Sequence, residues 1–298
     1  MANTSPSDRQ ILTDRAADRR LLRDGFVKVP FLSPSDAFRV RELFVQLRGL
    51  EGEGFATDFT VPDRVYRRRV ANTISAALDA AVGSVFVDHV PFLRNFLCKY
   101  PGEASVVDLH RDWMYVDERT GARTYTIWIA LEDVVGDNGQ LRALRGSHKF
   151  DTMLRGTNLV APWIEHTDVI DERLLTVPTT AGEAVIFDNA LLHCSYPNFT
   201  EVPRVAAALA LHHKDDALVH FLRSSDHEAV RYDITEDFFL DELPQELLSQ
   251  PPDLPVRETL PVVEADFSAA ELAAMADHAP KASLDRFYRK RQRPTSAV

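Results

Sequence analysis

The chain has 298 residues, 45% of them hydrophobic, which is enough apolar material to bury a full core in one large unit. Its 45 acidic and 34 basic residues leave a formal charge of −11, and a surface of that sign repels phosphates, arguing against nucleic-acid and anionic-membrane partners. Two cysteines, Cys98 and Cys194, are too few for a secreted disulfide scaffold, and no run approaches the roughly 18 apolar residues of a membrane helix. A cytoplasmic enzyme acting on a small molecule is the class left standing.

In chain order, the opening "MANTSPSDRQILTDRAADRRLL" alternates charges and has no apolar core of signal-peptide length. "SPSDAFRVRELFVQLRGL" predicts a helix capped at Ser33 or Ser35, with Phe38, Leu43, Phe44 and Leu47 at helical spacing. "RVANTISAALDAAVGSVF" predicts a second helix, and "EGEGFATDFTVPD" between them predicts an exposed loop. From about residue 95 the pattern changes to short period-two segments. In "TYTIWIALEDV", Ile127, Ile129 and Leu131 share one face and Thr126, Trp128 and Ala130 the other. "GDNGQL" predicts a turn at Asn138 and Gly139. "AGEAVIFDNALLHCSY" gives two strands around a turn at Asp188 and Asn189, and "PRVAAALALHH" gives another. Many short strands with turns between them favour a mainly β sandwich or barrel with flanking helices. Residues 150–176 lack a period and read as a long insertion, a candidate lid around Trp163. Beyond the proline-spaced stretch after Glu242, "FSAAELAAMADHA" reads as a helix and "DRFYRKRQRP" as a solvated basic end.

Chemistry concentrates in "VVDLHRDWMYVDER". On a strand, His110 and Asp112 point the same way and Arg111 points outward, so one imidazole and one carboxylate can share an ion. Of the ten histidines in the sequence, nine besides His110 are available to complete the set, and His193 is the strongest candidate because it emerges from an apolar hairpin with Ser195 on the same face. Two histidines and a carboxylate leave three open positions, which suits non-haem Fe(II) oxygenases. Arg204 opens a strand whose same-face neighbours are Ala206, Ala208 and Ala210, and these leave room for a guanidinium aimed at a dicarboxylate. His148, in a glycine-serine loop, reads as a structural hydrogen bonder, and His212 and His213 as solvent or supporting contacts.

With these residues in view, the chain resembles the phytanoyl-CoA dioxygenase family of Fe(II)/2-oxoglutarate-dependent oxygenases. The matching segments are "DGFVKVPFLSPSDAFRVRELF", "KYPGEASVVDLHRDW", "DNGQLRALRGSHK" and "GEAVIFDNALLHCSYPNFTEVPR", within residues 24–213. The resemblance implies a double-stranded β-helix (jelly-roll) core at about 96–214, a helical part at about 1–95 and an extension at about 215–298, all in one domain. It implies His110, Asp112 and His193 as iron ligands, Arg204 and Ser195 on the far carboxylate of 2-oxoglutarate, and Trp128 lining that pocket. Fe(II), 2-oxoglutarate and O2 are the implied cofactor and cosubstrates, with succinate and CO2 as coproducts. Where the family's loop reads Pro-Gly-Ser-His, this sequence has Arg145 in the proline's place, which bears on loop shape. Trp113 and Tyr115 are candidate substrate contacts, and the expected reaction is hydroxylation of a C–H bond in a secondary metabolite or amino-acid derivative. Halogen transfer is not expected, because Asp112 fills the position a halide needs.

Overall fold

Each of the three long helices begins at a side chain that accepts from otherwise unpartnered backbone N–H groups. Asp14 caps α1 (Arg15–Asp24), Ser33 caps α2 (Pro34–Arg48) and Asp63 caps α3 (Arg64–Val85). The computed structural model describes residues 6–151, 153–161, 163–262 and 267–277. Its strands are β1 (Phe26–Pro30), β2 (Phe55–Thr57), β3 (His89–Lys99), β4 (Val107–His110), β5 (Thr124–Ala130), β6 (Leu141–Ala143) and β7 (Leu175–Val177). They continue with β8 (Glu183–Asp188), β9 (His193–Ser195), β10 (Arg204–His213), β11 (Val219–Arg223), β12 (Glu228–Asp233) and β13 (Val256–Pro261). Four shorter helices complete the list: α4 (Thr167–Asp171), α5 (Phe238–Asp241), α6 (Pro244–Leu247) and α7 (Ala269–Asp277).

The strands form a six-stranded antiparallel sheet, β1-β8-β5-β10-β3-β2, and a four-stranded one, β4-β9-β6-β7. The two pack face to face through Trp128, Val185 and Ala206 of the larger sheet and Leu141, Ala143 and Val177 of the smaller, giving a jelly-roll core. On the outer face of the larger sheet, Ile127, Ile129 and Leu209 pack against Val40, Phe44, Ile74 and Leu78 of the helices. The alternation of β5 is thereby explained: its two faces serve two different cores, and all seven of its residues are buried. A third sheet, β11-β12-β13, adjoins an aromatic cluster that contains Phe92, Tyr115, Phe238 and Phe239.

Several sequence expectations shift. The segment "EGEGFATDFTVPD" holds β2, paired with β3, and Asp58 in it is 2% exposed because its carboxylate accepts from Phe96 N and Tyr66 Oη. Strand pairing with β3 overrode its loop-like composition. The tight turn falls at Gly136 and Asp137, one step before Asn138, which instead bridges to Asn198. Strands β1, β2 and most of β3 lie within the first 95 residues, so this part is helical only in its outer layer. His212 and His213 are buried rather than facing solvent, because both faces of β10 are covered. The basic segment from Asp285 to Pro294 lies outside the described residues.

Candidate active site

His110 and His193 are direct Cα partners at the ends of β4 and β9. Between that pair and the next, Val107 with Ser195, the register shifts, a bulge that re-aims the side chains around it. Strand β4 ends at His110, so Asp112 belongs to the loop beyond it and not to the strand the sequence suggested. The loop still returns the carboxylate to the histidines: one donor atom from each of His110, Asp112 and His193 lies within 4.8 Å of the others. Both imidazoles are oriented from behind. His110 Nδ1 donates to the Asp108 carbonyl at 2.8 Å and His193 Nδ1 to the Leu191 carbonyl at 3.0 Å. A carbonyl can only accept, so each Nδ1 carries the proton and each Nε2 keeps a lone pair free for an ion. Burial and the neighbouring His110 ring hold His193 down at about 4, which keeps it neutral. Two imidazoles oriented with Nε2 away from their backbone partners, and a carboxylate beside them, fit a non-haem iron ion.

Asp112 has its own support. Thr126 Oγ1 lies 3.2 Å from Asp112 Oδ2 and 3.0 Å from the Asn189 amide oxygen, while Asn189 Nδ2 has no partner. One hydroxyl proton cannot serve two acceptors. The arrangement that satisfies every group has the Asn189 amide turned over, donating to Thr126, which donates to Asp112. The loop "RGSHK" holds the other ligand strand: Ser147 Oγ accepts from Leu192 N and Leu192 O accepts from Leu144 N. Arg145 lies 3.8 Å from Asp24, and His148 Nε2 donates to the Leu22 carbonyl.

The three ligand candidates open on a cavity of about 230 Å3 between the two sheets, which Ser195, Trp128, Tyr115 and Arg204 also line. Arg204 is 3% exposed and its guanidinium sits 5.4 Å over the Trp128 ring. It donates to the carbonyls of Asn138 (3.3 Å) and Gly139 (2.8 Å), and among the described residues no carboxylate pairs with it. Burial pulls it down to about 10, still charged at neutral pH. Gly139 adopts φ +84°, and a Cβ there would come within 2.4 Å of Lys99 Cδ. Tyr115 lines the cavity, with its phenol pushed up by burial. Trp113 stands behind it, packed on Phe59, His220 and Phe239, and is not among the cavity-lining residues.

Three functional neighbours were not read from the sequence. Lys99 is 1% exposed, lines the cavity and is the Cα partner of Arg204. The alternation Leu93, Asn95, Leu97, Lys99 on β3 is the signal that places it there. The other two are arginines that brace the Asp112 loop. Arg111 turns away from the donor group as expected, yet inward: it pairs with Asp151 at 3.0 Å and lies 4.1 Å over the Trp163 ring. Arg155 donates Nε to the Asp112 carbonyl at 2.9 Å and grips buried Glu118 at 2.5 and 3.1 Å. Residues 150–176 therefore hold the ligand loop from behind. Trp163, Ile170 and Leu174 are buried against Leu272 of α7, so this is anchored structure where the composition suggested a lid.

The family model of phytanoyl-CoA dioxygenase matches residues 35–206, more than half of the chain. The chain belongs to the phytanoyl-CoA dioxygenase family. This membership places it in the class of Fe(II)/2-oxoglutarate-dependent oxygenases. A curated relative, phytanoyl-CoA dioxygenase domain-containing protein 1 of Danio rerio, is 28% identical over 116 residues, 37% of this chain and 40% of that protein. Among solved structures, the non-haem α-ketoglutarate-dependent carbocyclase SnoK from nogalamycin biosynthesis superposes with a TM-score of 0.51 at 19% identity, covering 87% of this chain and 99% of that one. EvdO2 from Micromonospora carbonacea var. aurantiaca, solved with 2-oxoglutarate, gives a TM-score of 0.47 at 20% identity over 66% and 90% of the two chains. At these identities the structural likeness speaks to the fold. No described helix is long and apolar enough to cross a membrane.

Proposed function

We propose that the protein is an Fe(II)/2-oxoglutarate-dependent dioxygenase that hydroxylates an unactivated C–H bond of a small molecule. The observation that carries this reading is that a His-Asp-His donor set and a buried arginine without a carboxylate partner among the described residues face one cavity. His110, Asp112 and His193 would hold the iron. Arg204 and Ser195 would take the far carboxylate of 2-oxoglutarate, with Trp128 as the wall beside it. When bound, iron and 2-oxoglutarate supply the oxidising power, taken from O2 with release of succinate and CO2.

The chain's own residues do the rest. Backbone carbonyls fix both imidazoles with Nε2 inward, and the Asn189–Thr126 pair fixes a carboxylate oxygen. Phe59, Leu93 and Ala210 add apolar surface to the cavity lining, which keeps water away from the reacting centre and suits an apolar portion of a substrate. Tyr115, and Trp113 behind it, belong to that substrate side. Asp112 as an intact ligand occupies the position and supplies the negative charge that a halide would need to displace, so oxygen transfer is the outcome. Succinate formation, screened against a library of secondary metabolites and amino-acid derivatives with Fe(II) and 2-oxoglutarate, tests the reading. The expected product gains one oxygen even with chloride or bromide present. A halogenated product, or turnover that does not depend on 2-oxoglutarate, overturns it.

A further inference from the structure

The inner face of the larger sheet can be read in rows across β3, β10 and β5. Asn95, Ala208 and Trp128 form one row, and Leu93, Ala210 and Thr126 form the row nearer Asp112. At the opposite end stands a row of two cations, Lys99 on β3 and Arg204 on β10. Direct cross-strand partners in an antiparallel sheet bring their Cβ atoms to about 5 Å, and like charges so placed repel. Both side chains are buried, at 1% and 3% exposure, and both line the cavity. Neither has a carboxylate partner among the described residues: Lys99 Nζ donates to the Ser105 carbonyl and faces the Phe55 ring at 5.4 Å, and Arg204 donates to the Asn138 and Gly139 carbonyls.

Two buried cations side by side, met by carbonyl dipoles and ring faces and, for Arg204, by the field of Glu132 beyond ion-pair distance, are costly unless an anion enters between them. Burial and the charge of Arg204 pull Lys99 down to about 7, a measure of how poorly the ligand-free pocket supports the second charge. Donors remain to meet an anion. Of the five N–H groups of a guanidinium Arg204 uses two, and of the three of an ammonium Lys99 uses one.

We propose that Lys99 is a second cationic contact for the far carboxylate of 2-oxoglutarate, so that Lys99 and Arg204 clamp it from adjacent strands. This rests on the reading above that Arg204 holds that carboxylate. The arginine presents a planar fork and the lysine a point charge from a neighbouring strand, so the pair selects a keto acid whose far end is a carboxylate. The ammonium also keeps its tie to Ser105, three residues after the chain leaves Pro101 and Gly102 and shortly before β4. Lys99 thus links cosubstrate recognition to the segment that leads into His110.

The test is anaerobic calorimetric titration of the full chain loaded with Mn(II). The probes are 2-oxoglutarate and 2-oxobutyrate, which keeps the keto acid but lacks the far carboxylate. Lys99→Gln retains a donor for the Ser105 carbonyl and deletes the charge. It should weaken 2-oxoglutarate by about tenfold or more, the worth of a charged hydrogen bond, and leave 2-oxobutyrate unchanged. The rise in thermal midpoint on adding 2-oxoglutarate should shrink in parallel. Lys99→Met gives the same two readouts if the glutamine variant does not fold. Equal weakening of both keto acids, or no weakening of 2-oxoglutarate, overturns the proposal. Arg204→Lys is titrated alongside to separate the two readings. Selective loss in both variants supports the clamp; loss only in the Lys99 variants keeps the lysine and removes the arginine assignment; loss only in Arg204→Lys removes the lysine.

Discussion

The two ends of the cavity are built in opposite ways. At the donor end, His110, Asp112 and His193 stand on a bulge, a loop and the start of a three-residue strand, and each is fixed by its own bond to a neighbouring group: the Asp108 carbonyl, the Thr126 hydroxyl and the Leu191 carbonyl. At the cationic end, Lys99 and Arg204 project from long strands that pair directly and without a register shift from Arg204–Lys99 through Ala210–Leu93. A bulge allows three ligands to converge on one point, which regular pleating cannot do because side chains on one strand face run parallel. Regular pairing serves the other end, where the requirement is a fixed position along the sheet. Convergence therefore needs bracing from neighbouring segments, whereas the cationic end is braced by the sheet itself.

The largest expected effect is at the donor end. His193→Ala removes one of three donors, and anaerobic Fe(II) titration, about one equivalent in the unmodified chain from this ligand set, should show loss of tight binding together with loss of activity. A folded variant that binds iron at full affinity would break the assignment. Asp112→Gly should likewise lose hydroxylation, whether or not halide then enters.

Next in size is the brace. Arg155→Leu deletes the contact to the Asp112 carbonyl and leaves Glu118, 4% exposed, with Arg123 as its remaining partner. Breaking a buried pair costs about 3–5 kcal/mol, and the surviving arginine puts this one near the lower figure. Urea unfolding should show a loss of about 3 kcal/mol; an unchanged unfolding free energy would mean that residues 150–176 do not support the ligand loop. At the cationic end, Arg204→Lys keeps the charge and loses the fork. It should cost about 1.5–3 kcal/mol of 2-oxoglutarate binding, read by the same calorimetry.

The same contrast decides what was legible in the sequence. Period-two alternation on β5 and β10 placed Trp128 and Arg204 on the cavity face, because both strands are regular from end to end. The same rule applied to β3 would have shown Lys99. That strand begins at His89, inside a stretch read as helical, so its alternation went uncounted. At the donor end, strand parity brought His110 and Asp112 together for an incomplete reason: the strand stops at His110, and a loop braced by Arg155 completes the approach. Arginines 111 and 155 were invisible as braces because their partners, Asp151, Trp163 and Glu118, come from segments without a period. A long aperiodic stretch with a tryptophan looks the same in sequence whether it closes over a site or is packed behind it. Only the burial of Trp163 and Ile170 separates the two.

The smallest effect tests how finely the donor end is tuned. Thr126 sits on β5, the regular sheet, and reaches across to Asp112 in the loop, so it is the point where the two modes of construction meet. Thr126→Val keeps the shape and removes the hydroxyl, leaving Asp112 Oδ2 without that donor and Asn189, 0% exposed, without its acceptor. Supporting bonds of this kind are worth about 10–100-fold in metal affinity. The lower figure is expected here, because the Asp112 side chain retains access to water at 25% exposure. Competition titration should therefore show Fe(II) held about tenfold more weakly, with 2-oxoglutarate affinity at saturating metal unchanged. Thr126→Ser, which restores the hydroxyl, should recover most of the loss. If valine and serine behave alike, Asp112 is held by its loop alone, and the regular sheet contributes to the cationic end only.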